Sequence, residues 1–193
     1  MTPGIESYAP IGDGRTVALI GLDGSVDWLP LPDLTSTPVF ARLLDRETGG
    51  YLELAPTEDF ETTRRYVPDT NVLETTFTTA RGSVRGTDAM VSGVAGRMPW
   101  AELARRIDGL EGTVPMAWRI HPGTSLRTAS PWIERTQHGD VIRSGKTALV
   151  VVGFEHGPEA PDPDGTSGPR LTGSFTASKG SRHLIALAAT HDE

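Results

Sequence analysis

"GDGRTVALIGLDGSVDWLPLP", Gly12 to Pro32, sets the architecture of this chain. Residues 15–21 read as a buried strand, 22–25 as a tight turn, and 26–31 as a second strand with alternating apolar positions at Val26 and Trp28. Asp23-Gly24 is a strong hairpin signal, because glycine reaches positive φ without steric cost. Pro30 and Pro32 lack the N–H a central ladder needs, so they push this strand toward a sheet edge or an early exit.

The same grammar repeats outward. "YLELAP" (51–56) alternates, and "VLETTFTTA" (72–80), rich in β-branched residues, pairs naturally with "SVRGTDAMV" (83–91) across Arg81-Gly82. "VIRSGKTALVVVGF" (141–154) reads as a hairpin turning at Ser144-Gly145, and "RLTGSFTA" and "RHLIALAAT" read as the last two strands. The 22 glycines and 15 prolines in 193 residues supply the turns such a chain requires. Many short strands with regular turn signals predict an all-β fold, a sandwich or barrel, and the length suits one domain over residues 1–193.

Two segments read as helix. "TPVFARLLDRETGG" (37–50) has Thr37 as a cap, Pro38 at the first helical position, and Val39, Phe40, Leu43 and Leu44 on one face, with Gly49-Gly50 as a stop. In "WAELARRIDGL" (100–110), Leu103, Ile107 and Leu110 have helical spacing, and Arg105 interrupts the period-2 alternative, so pattern alone favours helix. "EHGPEAPDPDGTSGPR" (155–170) has no periodicity and reads as a surface loop.

Composition excludes several classes of function. A net charge of −7 and no dense basic run argue against nucleic acid or an anionic membrane as partner. The absence of cysteine excludes disulfides, thiol catalysis and Cys-ligated zinc. "MTPGIESYAP" lacks a basic n-region and an apolar h-region, and the longest apolar runs fall short of the roughly 20 residues a membrane helix needs. A cytoplasmic location is the expectation.

No catalytic constellation emerges from residue types and spacing. Asp13 and Asp23 each precede a glycine and read as turn residues, whereas Asp27 alternates with Val26 and Trp28 and leaves its strand on a definite face. None of the five histidines pairs at the i, i+4 spacing of a helical metal site, and His121 and His138 look like turn residues. "DPDGTSG" (162–168) lacks the later ligand positions of a calcium loop. The expectation is no catalytic residue, no metal and no cofactor. Among the tryptophans, Trp118 in alternating "MAWRI" reads as core, while Trp28 and Trp132, crowded by prolines, are candidates for stacking on a sugar ring.

"YAPIGDGRTVALIGLDGSVDWLPLP", "PVFARLLDRETGG", "RRYVPDTNVLETTF", "GSVRGTDAM", "ARRIDGLEGTVPMAWRIHP" and "HGDVIRSGKTALVVV" occur in order over nearly the whole chain. Together they resemble the N-terminal domain of glycoside hydrolase family 15, the bacterial glucoamylase-like and trehalase-like proteins of carbohydrate metabolism. The resemblance implies an antiparallel β-sandwich of the supersandwich type. It also implies that "ELARRIDGLEGTVPMAWRI" is a pair of strands rather than a helix.

In that family the catalytic glutamates lie in a separate C-terminal (α/α)6 barrel, for which 193 residues leave no room. The expectation is therefore an isolated, non-catalytic domain whose partner is that barrel. Where the family pattern runs "LPRFDSP", this chain has "LPDLTSTP", and "TDFMP" appears as "TDAMVS". Asp27, Trp28, Asp33 and Thr35 are the candidates for a cleft rim, and Trp132 joins Trp28 as a candidate sugar contact. A carbohydrate-binding module standing alone is the rival reading, and self-association through an exposed docking face is a third.

Overall fold

The computed structural model describes residues 4–92, 100–137, 139–153 and 169–191. Its strands are β1 (Ala9–Gly12), β2 (Val17–Ile20), β3 (Ser25–Pro30), β4 (Pro38–Phe40), β5 (Tyr51–Pro56), β6 (Phe60–Tyr66), β7 (Leu73–Thr79), β8 (Gly82–Met90), β9 (Ala101–His121), β10 (Trp132–Thr136), β11 (Gly139–Ser144), β12 (Thr147–Gly153), β13 (Leu171–Ser178) and β14 (Arg182–His191). The only helical element among the described residues is a 3-10 turn at Ile5–Ser7.

All pairings are antiparallel, and they resolve into two layers. The smaller runs β1-β2-β3-β5-β9-β13, with β4 beside β3. The larger runs β6-β7-β8-β9-β14-β12-β11-β10. This is the all-β sandwich the hairpin signals predict.

β9 belongs to both layers. Ala101–Asp108 pair with β14 and Leu103–Gly112 with β8, whereas Thr113–His121 pair with β5 and β13. The changeover lies at Gly109–Gly112. A Cβ on Gly109 would run into the Ser178 carbonyl, and one on Gly112, at φ 64°, into the Arg81 carbonyl, so only glycine lets the backbones pass. The implied pair of strands is thus one strand bent from sheet to sheet.

The core lies between the layers. Val114, Met116, Trp118 and Ile120 project from the second half of β9, and Leu103 and Ile107 from the first; all are at most 5% exposed. Phe77, Val84, Leu149, Val151 and Leu187 of the larger layer complete the same cluster. Each fully buried aliphatic or aromatic chain contributes about 1.5–3 kcal/mol over its exposed state.

The structure corrects both helix expectations. Residues 37–50 hold no helix. Pro38–Phe40 pair with β3, and the next three amides bond out of helical register: Ala41 N donates to Gly49 O, Arg42 N to Gly50 O and Leu43 N to Asp27 O. Leu44, assigned to the apolar face, is 65% exposed. Residues 101–110 are strand. Leu103, Arg105 and Ile107 are all buried at period two, and the period was hidden because its middle position is an arginine. β1, β6 and β10 also escaped the sequence reading; β6 and β10 end the larger layer and carry mostly polar, half-exposed residues.

Candidate functional site

Asp27 sits in β3, where the register with β2 slips between Leu19 and Ile20. It is 4% exposed. Its Oδ2 accepts the Tyr8 hydroxyl at 2.7 Å, and its Oδ1 accepts Arg42 Nε at 2.8 Å and lies 2.7 Å from Arg42 Nη2. The Arg42 guanidinium also rests 3.9 Å from the centroid of the Tyr51 ring. Burial first, then the hydrogen bond to Asp27, raises the Tyr8 phenol well above its ordinary value. Both carboxylate oxygens are engaged, so Asp27 pins three segments together: the Tyr8 approach to β1, β3 itself and the turn after β4.

The neighbouring aspartates shape turns. Asp13 Oδ1 accepts the amides of Arg15 and Thr16, and Asp23 Oδ1 that of Ser25. Asp33 Oδ1 accepts the Thr35 hydroxyl at 2.7 Å, the Ser36 hydroxyl at 3.0 Å and the Thr35 amide at 2.9 Å. Those hydrogen bonds, the Thr35 hydroxyl foremost, hold its carboxyl below the usual range.

The rim candidates do not converge. Thr35 lines a cleft of about 320 Å³ with Leu31, Ser36, Ser125, Ser144 and Lys146. Trp28 is half-buried opposite Leu19. Trp132 is 51% exposed on β10, with the Arg143 guanidinium 5.7 Å from its ring centroid. Asp27 is sealed behind Arg42. His138 and residues 162–168 lie outside the described residues. Among the described residues, no group of three histidines and carboxylates is placed to hold a metal ion, and no helix is long and apolar enough to cross a membrane.

Another cleft holds none of these candidates. About 600 Å³ in volume, it opens over the outward face of β5 and β9 and is lined by Arg46, Thr48, Tyr51, Arg119, His121 and Arg170, among others. Tyr51 and His121 are register partners, and their rings stack at 6.0 Å with 28° between planes. His121 is the last residue of β9 rather than a turn residue. Burial, followed by the charges of Arg170 and Arg119, lowers its pKa. The Tyr51 side chain beside Arg119 raises that guanidinium further, and Glu53 lies 3.6 Å from it. The sequence signal was the outward pair Arg119 and His121, two residues apart on one strand face. The His-Pro dipeptide masked it.

Residues 1–109 match the family described as trehalase-like, N-terminal. The trehalase of Thermoplasma volcanium is 30% identical over 152 residues, which cover 77% of this chain and 24% of that protein. Trehalase 1 of Sulfolobus acidocaldarius is 32% identical over 137 residues, covering 70% and 22%. The trehalase of Mycobacterium tuberculosis is 37% identical over 117 residues, covering 60% and 16%. The chain therefore spans about a quarter of these relatives' length or less. With its two antiparallel layers and its opening hairpin, the chain belongs to the trehalase-like N-terminal domain family.

Proposed function

We propose that this chain is the non-catalytic N-terminal domain of a trehalase-type member of glycoside hydrolase family 15, packing against and supporting a catalytic (α/α)6 barrel. The parent reaction is inverting hydrolysis of an α-glucosidic bond, in which one carboxylic acid protonates the leaving oxygen and a second carboxylate activates water. The relatives' lengths beyond the matched region leave ample chain for such a barrel.

The observation that carries the reading is the outward face of the larger layer. Register sets Ala89, Ala104, Ala186 and Val152 side by side across β8, β9, β14 and β12, and Val141, Val150 and Ala188 in the next row, between Glu134 and Glu102. A face turned to water on an antiparallel sheet carries polar residues at such positions. A flat stretch of alanine and valine instead suits the close approach of another domain.

The test is hydrolysis of trehalose and maltooligosaccharides by the purified 193-residue chain. No turnover above the blank is expected. Turnover by the chain alone, abolished in an Asp27→Ala variant that remains folded, overturns the reading.

A further inference from the structure

We propose that the cleft between the β3–β4 loop, the turn after β9 and the β11–β12 hairpin binds a neutral sugar. Its walls include Thr35, Ser36, Ser125, Thr128, Ser144 and Lys146, and its volume is about 320 Å³. That is the small end of the roughly 300–1,000 Å³ range of ligand clefts and suits a single sugar ring better than a chain. Among the residues singled out in the sequence as sugar contacts, Thr35 alone lines it. The proposal stands apart from the supporting role, because it concerns binding by this chain alone.

The hydrogen bonds around the cleft decide what it can hold. A hydroxyl has one proton to give and two lone pairs that receive. Thr35 and Ser36 both give theirs to Asp33 Oδ1, at 2.7 and 3.0 Å, and Thr128 gives its own to Ser125 O at 2.6 Å. Ser144 donates to Gly123 O at 3.3 Å, so Ser125 is the donor in the 3.1 Å contact between the two serines. These hydroxyl protons are spent within the protein, and what remains on them is acceptor capacity. Lys146, exposed in the hairpin turn, supplies a charged donor on the same wall. An inorganic anion, which only accepts, meets hydroxyl oxygens whose protons are already given away. A small cation is repelled by the Lys146 ammonium. A ring bearing hydroxyl groups, each able to give and to receive, matches both kinds of partner.

The backbone is bent to build this wall. Ser125, Leu126 and Arg127 follow one another at φ 50°, 57° and 68°. The left-handed region is costly for residues with a Cβ, and such strain gathers at ligand sites. Here it accompanies a Ser125 hydroxyl bonded to Ser144 and a Ser125 carbonyl bonded to Thr128, which fixes three of the wall's side chains before any ligand arrives.

The test adds glucose or trehalose to the 193-residue chain while following its backbone amides by NMR. Saturable shifts are expected at Thr35, Ser36, Ser125 and Lys146, with Kd in the millimolar range. Thr35→Val and Lys146→Met, both at exposed positions, each weaken binding about three- to tenfold, the loss of one hydrogen bond, while the rest of the amide spectrum stays that of the folded parent. Arg65→Ala, on β6 and outside the cleft, leaves binding unchanged. Tighter binding of trehalose than of glucose extends the site to a second ring; equal binding confines it to one. No saturable shift with either sugar, equal binding by the parent chain and both cleft variants, or displacement of the sugar by sulfate overturns the proposal.

Discussion

Arg105 grips both carboxylate oxygens of Asp88 inside the sandwich, Nε to Oδ1 at 2.8 Å and Nη2 to Oδ2 at 3.2 Å, with both side chains 3% exposed. The third nitrogen, Nη1, donates to Gly24 O at 2.8 Å. A side chain of the larger layer thus holds the opening hairpin turn of the smaller one.

Removing one partner leaves a buried charge uncompensated. Arg105→Met is expected to cost about 3–5 kcal/mol in urea unfolding. The double variant Arg105→Met/Asp88→Leu recovers much of that loss, because a well-packed apolar pair can replace a buried ion pair at little cost. It does not restore the bond to Gly24 O. A double variant no more stable than the single one contradicts this account.

Two glycines of the opening stretch separate backbone strain from crowding. Gly14 and Gly24 both have positive φ, 84° and 78°. A Cβ on Gly14 meets nothing within 4 Å, whereas one on Gly24 collides with Leu54 O and comes within 3.1 Å of Phe77 Cζ. Gly14→Ala should therefore cost about 1–2 kcal/mol, the left-handed penalty alone. Gly24→Ala should cost at least about 3 kcal/mol, since strain and overpacking add. Equal losses in chemical denaturation would show that the turn is not wedged between the layers.

Asp45 makes stability sensitive to acid. Its carboxylate is held down to about 2, mainly by the Thr48 hydroxyl at 2.7 Å, then by the amides of Thr48 and Glu47 and the charge of Arg127. Because the folded value lies below the ordinary 3.8, its contribution is complete above 3.8 and lost as pH falls toward about 2. Asp45→Asn, which cannot titrate, should flatten the stability profile in that window and leave its slope near neutrality unchanged. Urea midpoints measured across the acid limb decide the matter.

Hairpin chemistry carried most of the fold in the sequence. Asp23-Gly24, Arg81-Gly82 and Ser144-Gly145 marked turns that the structure contains, and Trp118 was readable as core from its alternation. What stayed hidden depended on distant partners. Arg105 broke an apolar period because its burial requires Asp88, 17 residues away in sequence. The segment after Thr37 satisfies every local helix rule, yet Asp27 takes the Arg42 side chain and accepts the Leu43 amide, and the glycines at its end accept the amides before it. The rim was sought among aspartates and tryptophans near the hairpin, but those aspartates are spent on turns and on Arg42. The arginine-lined cleft is assembled from residues between Arg46 and Arg170, and no local motif announces it.

Val152 offers the sharpest probe of the apolar sheet face. It is 51% exposed on β12, beside Ala186 and away from the core between the layers. Val152→Asp should change the chain's own stability by no more than about 0.5 kcal/mol, as exposed substitutions usually do. Its effect should appear in contacts with other surfaces. The parent chain should bind a hydrophobic dye, or self-associate in sedimentation velocity, more than the Val152→Asp variant does, because a charge set among Val150, Ala186 and Ala188 would have to be desolvated when the face is covered. Identical behaviour of the two chains in both measurements would mean that the face is not a docking surface, and the supporting role would then lose its structural argument.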